Sequence, residues 1–417
     1  MKSNPILGLG VSLLAASVAS SALAATTDSV SRQVRGLNDR LTAYENRFRV
    51  NGFATFGAVQ SDVEESDDTY HRGINNETNF RRYTKAGIQM SFNMDAKTSV
   101  VTQFVARGEN DFDVKAEWAY FKHQVNNQLS VKVGRLRKPN YLLSEYFDVG
   151  YAMPWTQAPV EVYGVLEDSA NYEAIDLTYD FEMGDWTAYT QFQFGRSETA
   201  TAVSDDLMAF NFSMNNGSLT LRAGYSQADA GLVSGTATAA QVSAINSAFS
   251  FTDKADEVVK ESNKGTFYGL AVMYDNGSLL AIAEYNSLTV ESLFPDQDGY
   301  YVMGGYRFGQ WMPYLSYAHE ETTDDDTRDP TVSPTPAVPD ANANGVSDIY
   351  EAAIGAQQAF NKEQTRSTVG VRYDYKPGIA LKLQYDMIDV GETKGEFAAI
   401  PAEDSANIIS FTIDTVF

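Results

Sequence analysis

The chain has 417 residues, of which 43% are hydrophobic and 21% charged, and its formal net charge is −24. It contains no cysteine, which excludes metal, haem and redox sites that depend on cysteine ligands. Length alone favours two or three domains, but all-β barrels of this size form a single domain, so the domain count stays open at this stage.

The N-terminus has the pattern of an export signal. Lys2 gives a positive start, residues 6–18 form an apolar run, and residues 22–24 offer a small-residue cleavage site. We therefore expect residues 1–24 to be a signal peptide. No later window holds roughly 18 uninterrupted apolar residues, the length a transmembrane helix needs. An exported chain of this kind ends in the periplasm, the medium or the outer membrane as a barrel.

A short helical repeat is predicted over residues 25–49. Apolar residues recur at alternating spacings of four and three: Val30, Val34, Leu37, Leu41, Tyr44 and Phe48. This is the a/d pattern of a coiled coil, although fewer than three heptads are marginally stable alone. We favour a periplasmic coiled-coil stalk that helps oligomerisation. The alternative is one amphipathic helix packed on a barrel rim.

From residue 50 to residue 417 the chain reads as segments of about ten residues with alternating polarity. Asn216-Gly217 and Asn276-Gly277 each join two such segments, and Asn-Gly supplies the positive φ angles of a two-residue hairpin. Every second connection is short and the others are long. Counting gives about 16 strands, and an even count with this asymmetry is typical of a bacterial outer-membrane barrel. The predicted fold class is an all-β transmembrane antiparallel β-barrel over 50–417.

The two faces of the strands can also be predicted. Charged side chains on the lipid face of a barrel would lower its stability by kilocalories per mole, whereas on the lumen face water solvates them. In the segment 379–390 the apolar set is Ile379, Leu381, Leu383, Tyr385 and Met387, and the polar set on the other face includes Lys382, Gln384 and Asp386. The final strand, NIISFTIDTVF, is expected to close the barrel against the first strand, with Ile409, Phe411, Ile413 and Phe417 facing lipid.

The signal peptide, the alternating region 50–417 and the terminal Phe417 on NIISFTIDTVF together resemble the Gram-negative trimeric porin family. The resemblance covers nearly all of the mature chain as architecture and includes no long exact motif. It implies a homotrimer in the outer membrane of a Gram-negative bacterium, both termini in the periplasm, and contact with membrane lipid and lipopolysaccharide. It also implies that the barrel-assembly machinery reads the last strand. Thr415 departs from the family, where an aromatic residue is common, and predicts a weaker insertion signal.

The resemblance also implies that the long connection 136–170 folds into the lumen as a constriction. Its carboxylates are Glu145, Asp148, Glu161, Glu167 and Asp168, and the opposing wall is expected to carry Arg81, Lys85, Arg107, Lys115 and Lys132. Opposite charges across a narrow waist would produce a transverse field that orients solutes and sets ion preference. The alternative is that these are ordinary solvated charges. The aromatic residues of this loop either pack it against the wall or form a slide for a sugar.

The long connection 321–364 contains a second motif. DANANGVSDIYE fits the calcium-loop pattern D-x-[DN]-x-[DN]-G-x5-E. The candidate ligands are Asp340, Asn342, Asn344, Val346 through its carbonyl, Asp348 and Glu351. Four prolines exclude a regular entering helix, so this resembles an Asp/Asn-rich loop more than a complete EF-hand. The alternative is a polar surface loop that matches by coincidence. No required cofactor is predicted, and Ca²⁺ in this external loop is optional.

The predicted function is a porin that lets ions and small hydrophilic solutes diffuse passively through a water-filled channel. Selectivity is expected to come from the inward acidic loop facing the basic wall, and its sign stays open. With three scattered histidines and no G-x-S-x-G motif, an outer-membrane lipase or protease is not favoured. The alternatives are a substrate-selective channel for an anion or a sugar, and a non-conducting structural or adhesive barrel. No nucleic-acid partner is expected.

Overall fold

The computed structural model describes residues 47–64, 69–71, 73–165, 171–198, 202–232, 263–290, 295–324, 361–391, 393–397 and 404–417. The predicted signal peptide, the heptad positions from Val30 to Tyr44, Glu167, Asp168 and the calcium-like motif 340–351 lie outside these residues. The first strand begins at Phe48, which the heptad pattern had placed at the end of the helix.

Sixteen antiparallel strands form one closed barrel in which each strand pairs with its neighbours in sequence. They are β1 (Phe48–Ser61), β2 (Lys85–Asn93), β3 (Thr98–Arg107), β4 (Val114–Gln124), β5 (Leu129–Arg137), β6 (Asn171–Met183), β7 (Trp186–Glu198), β8 (Ala202–Asn215), β9 (Leu219–Leu232), β10 (Asn263–Asp275), β11 (Leu279–Val290), β12 (Gln297–Tyr306), β13 (Trp311–Thr322), β14 (Glu363–Lys376), β15 (Ile379–Asp389) and β16 (Ser405–Val416). The predicted 16-stranded antiparallel barrel is confirmed.

The Asn-Gly turns form hairpins as predicted. Gly217 and Gly277 have φ angles of 95° and 88°, and the backbone N–H of Leu219 donates to the Asn216 side chain at 2.9 Å. Positive φ is easily reached by glycine, which has no Cβ to clash with the backbone. These local signals fix where β8 ends and β9 begins.

The last strand closes the barrel against the first. The register runs from Phe53 opposite Val416 to Ser61 opposite Ile408. Beyond it, Gly52 and Phe417 exchange two backbone hydrogen bonds of 2.8 and 2.9 Å. The expected closure of the barrel by NIISFTIDTVF is confirmed.

The outer face of the barrel is apolar and exposed, while the inner face is polar and buried. Leu270 and Leu315 are 57% and 62% exposed, whereas Lys382 and Asp386 on the inner face are 1% and 0% exposed. A protein surrounded by water buries its apolar side chains, so this inversion indicates an apolar environment outside the barrel. The predicted faces of β15 and β16 match the observed ones.

Helical structure in the described residues is limited to single turns. These are 3₁₀ turns at Gly108–Asn110, Ser144–Tyr146 and Gly150–Ala152, and the helix α1 (Val160–Tyr163). Within the ranges that the structure describes, no helix has the length and apolar character needed to cross a membrane.

β4 contains a bulge that alters the simple alternation of faces. Gln103 of β3 lies opposite Trp118, but the next residue, Phe104, lies opposite Ala116. Glu117 is therefore skipped in the pairing. A bulge of this kind lets two successive side chains reach the same side of a sheet.

Candidate functional site

Residues 138–165, hereafter the lumenal segment, lie inside the barrel. The backbone N–H of Leu142 donates to Glu284 of β11 at 2.8 Å, and that of Thr156 donates to Gln384 of β15 at 3.0 Å. The Thr156 hydroxyl also lies 2.7 Å from the hydroxyl of Ser410 in β16. These wall residues belong to the polar inner face, so the segment leaves β5 and crosses the lumen to the opposite wall.

The aromatic residues of the lumenal segment are packed against the wall. The Tyr141 ring meets Phe267 edge-on at 5.3 Å, and Trp155 meets Tyr301 edge-on at 5.4 Å. Tyr163 is equally buried, and its hydroxyl donates to Glu284 at 2.5 Å. Because these ring faces are covered, they support the segment and offer no surface to a passing solute.

Two wall cations bind backbone carbonyls at the tip of the segment. The Lys382 ammonium donates to the carbonyl oxygens of Gly150 and Trp155 at 2.7 and 2.8 Å, and it lies 3.0 Å from Asp414. Arg372 donates in the same way to the carbonyls of Tyr151 and Met153 at 2.7 and 2.9 Å. Charged donors make hydrogen bonds about twice as strong as neutral ones, so these contacts hold the tip firmly.

A first ion cluster joins the segment to β3, β4 and β5. Asp148 accepts two hydrogen bonds from Arg107, at 2.9 and 2.8 Å, and a third from Arg137 at 2.7 Å. Glu117 accepts from the same two arginines at 2.6 and 3.1 Å. The cluster holds two positive and two negative groups, so it is electrically balanced.

The environment of Asp148 keeps it ionised. Burial alone would raise its pKa, but the charges of Arg137, Arg107 and Lys85 outweigh that effect and hold the pKa well below the ordinary value of 3.8. Asp148 is thus a permanent anion throughout the physiological range.

A second ion cluster lies on the opposite wall. Glu161 of α1 is fully buried and accepts hydrogen bonds from Arg366 at 2.8 Å and from Gln364 at 2.6 Å. Arg366 also donates to the Tyr70 hydroxyl at 2.6 Å and lies 3.4 Å from Asp386. This cluster ties the end of the segment to β14 and to the loop between β1 and β2.

That same loop is fastened to the β15–β16 connection. The His71 ring nitrogen lies 2.9 Å from a Glu396 carboxylate oxygen, and the Tyr70 ring meets Phe397 edge-on at 5.1 Å. Burial would raise the pKa of Glu396, but the hydrogen bond from His71 and the charge of Lys362 together lower it to about 2. Two connections at the long-loop end of the barrel are thereby joined.

Comparisons with known proteins give structural matches only. No family model and no curated protein matches the chain. An anion-selective porin from Comamonas acidovorans is 11% identical, with a TM-score of 0.56 over 89% of this chain and 99% of that one. OmpF of Salmonella typhi in complex with daunomycin is 14% identical, with a TM-score of 0.55 over 89% and 97%. OmpT of Vibrio cholerae in a trimer form is 13% identical, with a TM-score of 0.51 over 89% and 100%.

The chain forms a porin-type barrel. At these sequence identities the likeness establishes the fold alone, and it does not carry over the solutes or the assembly of the matched proteins.

The structure brings some of the predicted site residues together and separates others. Arg107 and Asp148 are in direct contact, and Lys85 lies 5.8 Å from the Phe147 ring of the segment. Lys132 on β5 is 3.9 Å from Asp176. Lys115 is exposed and lies opposite Val105 in the register, on the inner face.

Arg81 and Glu145 lie apart from both ion clusters. The Asn79 side chain accepts hydrogen bonds from the backbone N–H groups of Arg81 and Arg82, which turns the chain before β2 begins. Arg81 therefore precedes β2 and pairs with Asp111 at the surface. Glu145 is exposed on the segment.

The charges are therefore not arranged as the predicted transverse field requires. Asp148 and Arg107 are hydrogen-bonded neighbours, and Glu161 pairs with Arg366, which was not among the predicted wall cations. Ion pairs in contact present little net charge to the lumen. In the described geometry these ion pairs attach the lumenal segment to the barrel wall.

Four residues that make these contacts were not among the predicted site residues: Glu117, Arg137, Arg366 and Lys382. The alternation did place Lys382 on the lumen face, but nothing local identifies the carbonyls that it binds. Glu117 has the parity of Lys115, but nothing local in the sequence identifies the two arginines that it binds.

Open space remains at the short-turn end of the lumen. A recess of about 680 Å³ is lined there by side chains that include Gln128, Asp180, Glu182, Tyr189 and Asn215. Its carboxylates and amides lie beside the apolar side chains of Phe181, Ala188 and Met214, so the recess offers a mixed polar and apolar surface below the lumenal segment.

Proposed function

We propose that the chain is an outer-membrane porin, and not an enzyme, through which ions and small hydrophilic solutes diffuse passively. The observation that carries the proposal is the closed 16-stranded barrel with an apolar exposed exterior and a polar interior. The lumenal segment would then form the constriction, since it crosses the interior from β5 to β16.

The exterior supports a membrane setting. Trp311, Tyr375 and Phe417 lie at the short-turn end, and they are 47%, 56% and 74% exposed. Aromatic side chains at the two ends of an apolar band are typical of proteins that meet headgroups on both sides of a bilayer. With short turns at the periplasmic end, both termini would lie in the periplasm of a Gram-negative bacterium.

Selectivity in this proposal comes from the charges that the segment does not use for its own attachment. Glu145 is the exposed carboxylate of the segment, and Lys85 and Lys132 are half-buried on the wall. These groups replace Asp148, Glu161 and Arg107 as the candidates for setting the ion preference, because only accessible charges interact with a hydrated ion.

The assembly and partners are also proposals. A homotrimer fits the porin-type barrel, and one matched structure carries the description of a trimer form. Membrane lipid, lipopolysaccharide and the barrel-assembly machinery would meet the exterior and the last strand. The segment 25–49 would act as a periplasmic stalk, and Asp340, Asn342, Asn344 and Glu351 would bind Ca²⁺ in the external loop.

The deciding experiment is the conductance and reversal potential of the refolded protein in a planar bilayer under a KCl gradient. We expect stepwise openings, three per insertion for a trimer. Glu145→Gln should shift the reversal potential toward anions and Lys132→Gln toward cations, whereas Arg81→Gln, outside the lumen, should leave it unchanged. Repeating the measurement with Ca²⁺ and with Glu351→Gln tests the calcium loop.

A second candidate is a non-conducting structural barrel. The extensive packing of Tyr141, Trp155 and Tyr163 into the lumen is the observation that favours it. A correctly folded protein that inserts into bilayers and never conducts would establish this candidate and reject the channel.

A further inference from the structure

The bulge in β4 brings two aromatic side chains to the inner face of the barrel. Trp118 lies opposite Gln103, a buried inner-face residue, and Tyr120 follows two positions later on the same face. Tyr120 packs against a buried cluster of the inner wall that contains Leu136 and Tyr172. The two rings lie 6.3 Å apart between centroids.

These two rings differ from those of the lumenal segment in their exposure. Tyr141, Trp155 and Tyr163 are buried, whereas Trp118 and Tyr120 are only half-buried. Part of their surface is therefore open to a molecule in the lumen. An accessible indole on a pore wall offers a flat apolar surface with a polar edge.

Neutral hydrogen-bonding groups flank this surface. In the register, Trp118 faces Gln103 and Gln103 faces Gln89, and the Gln103 amide donates to the Gln89 carbonyl oxygen at 3.2 Å. Gln89 is half-buried, so its remaining donors and acceptors are accessible. Trp118, Gln103 and Gln89 thus form a row across three strands, which presents an aromatic face and an amide edge side by side.

The ion cluster next to the row is electrically satisfied. Glu117, adjacent to Trp118, binds Arg107 and Arg137, and both arginines also bind Asp148. This cluster attaches the lumenal segment to the wall, so Trp118 lies beside the narrowed part of the lumen. A solute there would meet an aromatic face and amides next to this balanced cluster, with Lys115 exposed on the same inner face.

We propose that Trp118, Tyr120 and Gln89 form a stacking site for the ring of a neutral sugar, which makes Trp118 a specificity-determining residue. The inference rests on the proposed channel function. The C–H face of a pyranose ring packs on an aromatic face through weak C–H contacts, and the ring hydroxyls exchange hydrogen bonds with amides. An open-chain polyol of the same size has the hydroxyls but lacks the flat apolar face.

The test measures how glucose reduces the KCl current of the protein in a planar bilayer. Sorbitol serves as the open-chain control and corrects for viscosity. We expect saturable block by glucose and none by sorbitol. Trp118→Leu should raise the half-blocking concentration about fivefold, because one aromatic contact is lost. Trp118→Phe keeps a flat ring and should retain most of the block.

Trp311→Leu is the matched control, since it makes the same change on the outer rim and should leave the block unaltered. Proper folding of each variant is checked by its heat-modifiable mobility on a gel. Equal effects of glucose and sorbitol on the wild type would overturn the stacking site, as would an unchanged block in Trp118→Leu. A folded barrel with no current at all would instead overturn the channel function on which the site depends.

Discussion

The two carboxylate oxygens of Asp148 accept hydrogen bonds from Nε and Nη2 of Arg107, at 2.9 and 2.8 Å. This two-pronged geometry links the lumenal segment to β3 with a fixed orientation. The sequence suggested that Asp148 contributes to an electric field across the lumen. In the structure Asp148 attaches the lumenal segment to the wall, so its loss should let the segment move.

Asp148→Asn should destabilise the barrel by about 3 kcal/mol, because it leaves two arginines facing a neutral amide in a buried cluster. We expect a lower urea midpoint in lipid vesicles and a higher single-channel conductance, since the segment would be less firmly held. Glu145→Gln removes a carboxylate from the same segment but at an exposed position, and it should not change the midpoint. Equal midpoints for the two variants would contradict the anchoring role.

The pH dependence of this anchor follows from the direction of the pKa of Asp148. The folded-state pKa lies below the ordinary value of 3.8, so the contribution of Asp148 is fully present above that value and is lost as pH falls through the folded pKa. The stability difference between wild type and Asp148→Asn should stay constant from about pH 7 to pH 5 and shrink below about pH 4. Urea midpoints measured across this range provide the check.

The position of the segment's tip requires glycine at position 150, because a side chain there would collide with the wall. A Cβ added to Gly150 would lie 2.0 Å from an Asp414 oxygen and 2.5 Å from the Thr55 hydroxyl. Gly150→Ala should therefore push the tip away from Lys382 and make residues 150–156 accessible to protease. Gly304→Ala is the matched control, because a Cβ there meets nothing within 4 Å. If residues 150–156 resist the protease in both variants, the tip tolerates the added methyl group without being displaced, and the prediction is wrong.

The strands could be predicted from the sequence because their signals are local. Period-two alternation placed Leu383 outside and Lys382 inside, and Asn216-Gly217 marked a hairpin. The ion clusters could not be predicted in the same way. Glu161 and Arg366 are 205 positions apart, and their contact depends on where the segment meets the wall. Alternation counted from Lys115 would put Trp118 and Tyr120 on the outer face, and the bulge that turns them inward leaves no trace in that pattern.

The second cluster predicts a non-additive double mutant. Arg366→Met leaves Glu161 buried without its arginine and should cost about 3–5 kcal/mol of unfolding free energy. Glu161→Gln should cost less, because an amide tolerates burial better than an unpaired carboxylate. Adding Glu161→Gln to Arg366→Met should recover part of the loss. Strictly additive urea midpoints would indicate that the two side chains do not depend on each other.

The exposed apolar exterior predicts how the barrel responds to a lysine on each face. Leu383 is 47% exposed on the outer face, and Leu383→Lys should destabilise the protein in lipid vesicles by about 2–4 kcal/mol if that face meets acyl chains. Gln89→Lys adds the same charge at a half-buried inner position, where water can solvate it, and should cost about 1 kcal/mol or less. Urea unfolding in vesicles, followed by tryptophan fluorescence, measures both variants. Equal costs for the two lysines would mean that the outer face is solvated, and the membrane-spanning barrel would have to be abandoned.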